Sequence, residues 1–518
     1  MKIPSNDLFS LISSMTKDEK HFFRKFASIQ GEDAKAQKNY LMLFNAIDAQ
    51  EKYDEEEIKK KFERQKFIVQ LHVTKIYLEG LILKSLFLKT NETTFRFRIK
   101  KLITDADILF AKGLYLHCAK KLQTAKKLAY KTEFFDLLLQ IISLEIDNEN
   151  RKYNMFKKKE YLSTELYAEY DKVLLLAGNL NRYEEITNKL FSFYLDYIKG
   201  ENIINSKEFK KIYRHPLLKD VSKALSYKAK MVYHFGKSHM YNITEEYIKD
   251  YKNLKMHLNL MEENSASGTM RYFSVYNNFL STLYSLKKFR ELNEKLDHVK
   301  DIVIPDVKKE KIKISAMQFR IYYLTKFLAS AESGNIDIVS DIDSFNREFR
   351  IYSKHISGLF TINLIYGLSF ILFAAGRYDE ALLYANKILN DKNAEMLQPF
   401  YTDTLILSLA IHYELGNKQL LEYSIKPVIH RLKKMKGSIS KKEKVYLKYL
   451  QKHSLTDSEV RERKLLEDTL IELKEIDEDK TQKVYLQFLD IYTWIESKIN
   501  KESYRSVLKR KFKKMYAI

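Results

Sequence analysis

Apolar residues recur along this chain at spacings of three and four, in stretches broken by short polar turns, which is the period of packed helices rather than strands. The clearest stretch is Ile362–Asn393. It is almost wholly apolar from Leu364 to Ala374, is interrupted at Gly376-Arg377-Tyr378-Asp379-Glu380, and resumes with Ala381, Leu382, Ala385, Ile388 and Leu389. The pattern predicts a helix, a turn at Gly376 in the left-handed conformation, and a second helix whose start is favoured by the negative charge of Asp379 and Glu380. Two such helices fold back into an antiparallel hairpin.

The same grammar predicts further hairpins at Gly113-Leu114-Tyr115 before Cys118, Leu122 and Ala125, and at Asn181-Arg182-Tyr183 before Ile186 and Leu190. Others follow at Lys287-Lys288-Phe289, Gly334-Asn335-Ile336 and Gly416-Asn417-Lys418, the last four turns lying 40 to 47 residues apart. Pro216, Pro399 and Pro427 are expected at or near helix starts. Ahead of this array, residues 1–95 predict a separate helical cap or docking block. In it Asp7 caps a first helix, Thr16-Lys17-Asp18-Glu19 forms a capping box, and helices follow at Tyr40–Ala49, Ile58–Phe67 and Val69–Leu88. The array covers 96–438. Residues 439–518 form a C-terminal helical segment with predicted helices at Lys441–Gln451, Ser458–Glu475 and Thr481–Asn500.

The hairpin at Gly376 resembles a tetratricopeptide repeat (TPR), whose paired helices carry residues of fixed size. Taking Ile362 as its first position, Leu368 matches the family's Leu and Ala381 the small residue where the helices touch, while Ser369, Ala385 and Asn393 replace its Gly, Phe and Pro. The resemblance implies an all-α fold, a TPR-like α-solenoid of stacked hairpins, with a concave face that holds a peptide or helix of a partner. Carried over by position, that groove is lined by Asn363, Tyr366, Phe370 and Phe373, and in the next repeat by Asp403, Ile406, Ala410 and Tyr413. A Lys- and Asn-lined carboxylate clamp is not expected, because only Asn363 matches it.

Composition narrows this picture. Five prolines and 13 glycines in 518 residues leave few breakpoints in a helical chain, and the length suits an elongated stack or several domains. The single Cys118 excludes an intramolecular disulfide, and no long apolar leader precedes the first helix, so the cytoplasm is the expected compartment. Between Lys354 and Arg377 lie 22 residues without Lys, Arg, Asp or Glu. Ser357, Gly358, Asn363 and Ser369 dilute that run, so a buried repeat helix is expected and no transmembrane span.

The net charge of +22 raises the alternative of a nucleic-acid-associated regulatory factor, with nucleic acid as a further partner class. Against it, 72 Lys outnumber 18 Arg and the excess is spread along the chain, whereas phosphate recognition favours the Arg fork. The one concentrated patch is the tail, with Arg505, Lys509, Arg510, Lys511, Lys513 and Lys514 and no acid after Glu502. No phosphate-cradling loop, HExxH pair or nucleophile elbow is present. His234 and His239 stand five apart, off one helix face. The expectation is therefore a non-enzymatic scaffold or adaptor with no metal and no cofactor, whose partner and oligomeric state the sequence leaves open.

Overall fold

The computed structural model describes residues 6–29, 34–90, 94–156, 164–198, 202–305, 310–391, 400–436, 439–456, 458–477 and 489–516. Among these residues every regular element is helical, with 24 α-helices, short 3-10 turns and no strand. By contact the chain divides into two units, Met1–Glu185 with Asp220–Val232, and Ile186–Lys219 with Tyr233–Ile518.

The first unit contains α1 (Asp7–Ser14), α2 (Lys17–Ile29), α3 (Ala34–Asp48), α4 (Glu55–Lys61), α5 (Leu71–Thr90), α6 (Phe95–Ala111), α7 (Tyr115–Thr132), α8 (Phe135–Phe156) and the start of α9 (Thr164–Ile198). Leu8, Phe23, Phe44, Ile58, Leu78 and Ile82 form one buried cluster. Ile99, Cys118, Leu122, Ala125, Leu138 and Val173 form another. The expected capping box is present: the Thr16 N–H donates to Glu19 Oε2 at 2.9 Å and the Glu19 N–H to Thr16 Oγ1 at 3.2 Å. Asp7 is the first helical residue and Asn6 takes the cap position. The helix expected over Ile58–Phe67 stops at Lys61, with a 3-10 turn at Lys66–Ile68. Cys118 is a packing residue whose thiol is pushed up by burial, the opposite of what a nucleophile requires.

The second unit holds the rest of α9, then α10 (Lys207–Tyr213), α11 (Tyr227–Ile243) from Tyr233 on, α12 (Tyr247–Glu263), α13 (Met270–Ser285), α14 (Phe289–Asp301), α15 (Lys311–Ser333), α16 (Ile342–Tyr352), α17 (Gly358–Ala374) and α18 (Tyr378–Leu389). It ends with α19 (Phe400–Glu414), α20 (Lys418–Lys436), α21 (Lys441–Ser454), α22 (Glu459–Asp477), α23 (Ile491–Ile499) and α24 (Tyr504–Tyr516). From α17 onward each helix packs on the next, and α24 returns to pack on α15. The predicted start of α23 at 481–488 lies outside the described residues, as does Pro399.

The hairpin at Gly376 forms as expected. Gly376 has φ +78°, and the Arg377 N–H closes the end of α17 on Leu372 O at 2.9 Å. The Ser369 hydroxyl, in the place of the family's Gly, donates to Ala381 O at 2.8 Å where α17 and α18 touch. Gly113, Lys287, Gly334 and Gly416 also have positive φ at the predicted turns. Asn181-Arg182-Tyr183 does not turn: α9 runs unbroken from Thr164 to Ile198. No glycine stands in those three residues and Asn181 stays right-handed, so nothing stops the helix there. Pro427 lies inside α20 rather than at a helix start, whereas Pro216 opens a 3-10 turn. No described helix is long and apolar enough to cross a membrane. The uncharged run 355–376 becomes α17, buried along most of its length.

Candidate functional site

α24 follows a turn at Asn500-Lys501, where Lys501 has φ +54°, and is amphipathic. Tyr504, Val507 and Leu508 are buried, and Phe512 and Tyr516 continue the same edge at helical spacing. This edge lies on α14, α15 and α17. The Tyr504 ring meets Phe370 edge-on at 6.1 Å and Phe373 at 5.7 Å. Phe512 and Tyr516 both pack edge-on against Phe289, at 4.9 and 5.2 Å, and the Tyr516 hydroxyl donates to Glu332 at 3.2 Å. Backbone approach is closest at Gly334, which ends α15 with φ +65°. A Cβ there would sit 2.9 Å from Lys509 N and 3.0 Å from Leu508 Cβ.

Of the predicted groove residues, Phe370 and Phe373 are thus beneath a helix. Tyr366, Phe370 and Phe373 are buried and Asn363 is half-buried. Phe370 and Phe373 face the chain's own C-terminal helix, while Tyr366 lies toward Phe400 at 6.3 Å. Asp403, Ile406 and Ala410 are buried in α19. Tyr413 belongs to a network around Trp494, whose Nε1–H donates to Glu414 at 2.7 Å while Lys498 pairs with the same carboxylate. There Tyr449 donates to Glu462 at 2.6 Å, His453 lies 2.7 Å from the same group, and Tyr449 and Tyr413 share a 3.1 Å bond. Burial pushes Tyr413 up to about 12. These groups fix α19, α21, α22 and α23 together.

The tail cations divide. Arg510 bonds Glu502 at 2.6 Å and Glu496 at 3.0 Å, and Lys511 bonds Glu496 at 3.0 Å and Thr493 at 2.6 Å above the Tyr492 ring. Arg505 reaches Asp337 at 3.6 Å. Lys509 is half-buried, and Lys513 and Lys514 are exposed. The expected basic patch is therefore partly neutralised by acids of the same fold.

A cavity of about 180 Å³ remains beneath α24, lined by Tyr284, Leu328, Glu332, Lys511 and Phe512. It is smaller than the sites that take drug-sized ligands. A second, of about 300 Å³, lies between α12, α13 and α14, with Lys255, Asn259, Tyr276, Lys295 and His298 in its wall.

Sequence reasoning passed over a buried polar cluster in α11–α13. His234 Nδ1 is 2.8 Å from Asn253 Oδ1, and its ring stacks on His257 at 5.6 Å. Asp250 accepts from Asn242 at 2.7 Å and from Thr282 at 2.9 Å. Burial raises Asp250 to about 6 and lowers His257 to about 3 and His239 to about 4. The signal was available in the polar residues set among apolar ones on these helices. No group of three His, Cys, Asp or Glu among the described residues is placed to hold a metal ion. No family model matches the chain, and neither a curated protein nor a solved structure does.

Proposed function

We propose that this protein is a non-enzymatic adaptor, a TPR-like array of stacked helical hairpins whose receiving face takes an amphipathic helix of a partner protein. The observation that carries the reading is α24: its apolar edge covers Phe370 and Phe373 on α17, one of the two helices where the groove was expected, together with Phe289 on α14. A face that seats one helix through anchors at i, i+3, i+4 and i+8 has the chemistry to seat another of the same pattern. In this reading α24 is a resident ligand, held at the high effective concentration of a short tether, and a partner helix binds when α24 leaves. The partner carries aromatic and aliphatic anchors with basic flanks able to meet Glu332 and Asp337. The alternative of a nucleic-acid factor draws less support, since Arg505, Arg510 and Lys511 are already committed to Asp337, Glu496 and Glu502.

The test is binding in trans. A full-length chain with Val507→Asp and Leu508→Asp releases α24 while keeping the receiving face. It is expected to bind a labelled peptide of residues 502–518 at micromolar concentration, and at least tenfold more tightly than the unaltered chain does. Unchanged, weak binding by the folded variant contradicts the proposal.

A further inference from the structure

Three helix faces meet in one groove of the second unit. On α12 Lys255, Asn259 and Glu262 stand three or four residues apart, as do Tyr272, Tyr276 and Phe279 on α13 and Lys295 and His298 on α14, so each set lies along one face of its helix. α13 packs on both neighbours and forms the floor, with α12 and α14 as walls around a cavity of about 300 Å³, the lower end of the range for small-molecule sites. The floor is aromatic. Tyr272, Tyr276 and Phe279 are buried, and both hydroxyls are bonded within the protein, Tyr272 donating to Glu262 at 2.6 Å and Tyr276 to Lys295 O at 3.0 Å. With those hydroxyls committed, the floor presents rings, continued by the buried Leu258.

The walls carry the polar groups, and one cation is left over. Lys255 shares Glu291 with Lys288, at 3.5 and 3.7 Å. On α14, Arg290 reaches Glu294 at 3.3 Å and Lys300 lies over the Tyr322 ring at 4.0 Å. Lys295, half-buried between them, makes no side-chain hydrogen bond, ion pair or ring contact among the described residues, and the Asn259 amide on the opposite wall makes no hydrogen bond among them either. An ammonium that gives up part of its hydration without gaining a partner is in deficit, and a bound anion removes that deficit. The number of charges is limited by the acids nearby. Glu262 lines the same groove and Glu291 stands beside Lys255, so one negative charge is matched by Lys295 and a second is repelled.

We infer that this groove binds a small aromatic carboxylate, its ring on Tyr276, Phe279 and Leu258 and its carboxylate on Lys295 and Asn259. Phenylacetate, titrated with the full chain and followed by its own proton NMR line width, is expected to saturate with a Kd at or below about 1 mM. Phenylacetamide, which keeps the ring and loses the charge, is expected to bind about tenfold more weakly or worse, and so is phenylacetate to Lys295→Met. Lys300→Met removes the same charge five residues further along α14 and is expected to leave the affinity within about twofold, since an exposed charge there is screened. Circular dichroism checks that both variants keep the fold. Phenyl phosphate, with its second charge, is expected to bind more weakly than phenylacetate. Absence of saturation by phenylacetate in this range would overturn the inference. So would an affinity unchanged in Lys295→Met, an equal loss in both lysine variants, or tighter binding of phenylacetamide or phenyl phosphate than of phenylacetate.

Discussion

The residues with the most to say about stability are not those at the candidate site. His257 and His239 are neutral inside α11–α13, held by burial at about 3 and about 4, with His234 and Arg271 further opposing charge on His257. Unfolded histidines titrate near 6.5, so the unfolded chain binds protons that the folded chain refuses, and stability falls as pH drops below about 6.5. Asp250 acts the other way. Its folded value of about 6 lies above its unfolded one, so it offsets part of the loss below pH 6. Two histidines outweigh one carboxyl, and the melting temperature is expected to fall between pH 7 and pH 5. In His257→Leu that fall should shrink; an equal fall, followed by calorimetry, would show that the cluster does not set the acid limit. Two glycines offer a paired comparison. Gly376 and Gly334 both have positive φ, but only at Gly334 would a Cβ strike α24. Gly376→Ala is expected to cost about 1 kcal/mol of strain and Gly334→Ala about 2 to 3 kcal/mol. Denaturant titration measures both, and equal costs would contradict the close packing of α24 on α15.

At the scale of elements, local chemistry was legible and distant pairing was not. The turns at Gly113, Gly334, Gly376 and Gly416 could be read because a left-handed residue is a local demand that glycine meets at little cost. Asn181 imitates that signal without obliging the chain to turn, and so one helix was read as two. The apolar residues Phe370 and Phe373 were expected to line a face open to a partner, and they pack on α24, with Phe373 also meeting Tyr378 of its own hairpin at 5.7 Å. What they face, Tyr504, lies 131 and more residues downstream, and no periodicity reports such a contact. In α24 the basic residues drew attention first. The apolar edge of Tyr504, Val507, Leu508, Phe512 and Tyr516 was equally present in the sequence, and it is the part that decides where the helix goes. Likewise the expected helix at Val69–Leu88 is apolar on more than one side. Only burial separates Leu71, Leu78 and Ile82, which fill the core, from Val73, Ile76 and Leu83, which are exposed.

For the molecule as a whole, the account rests on α24 being a ligand of the face it covers rather than a fixed part of the core. The helices it touches are the longer-lived element in that view, since α15 and α17 are buried on several sides while α24 is held along one edge. Local opening of a helix held along one edge then costs far less than global unfolding. Hydrogen exchange of the full chain, followed by mass spectrometry under native conditions, tests this most directly. The backbone amides of Tyr504–Tyr516 are expected to exchange at least tenfold faster than those of α15 and α17. Equal protection of α24 and α17 would mean that the face never opens, and the adaptor reading would fail with it.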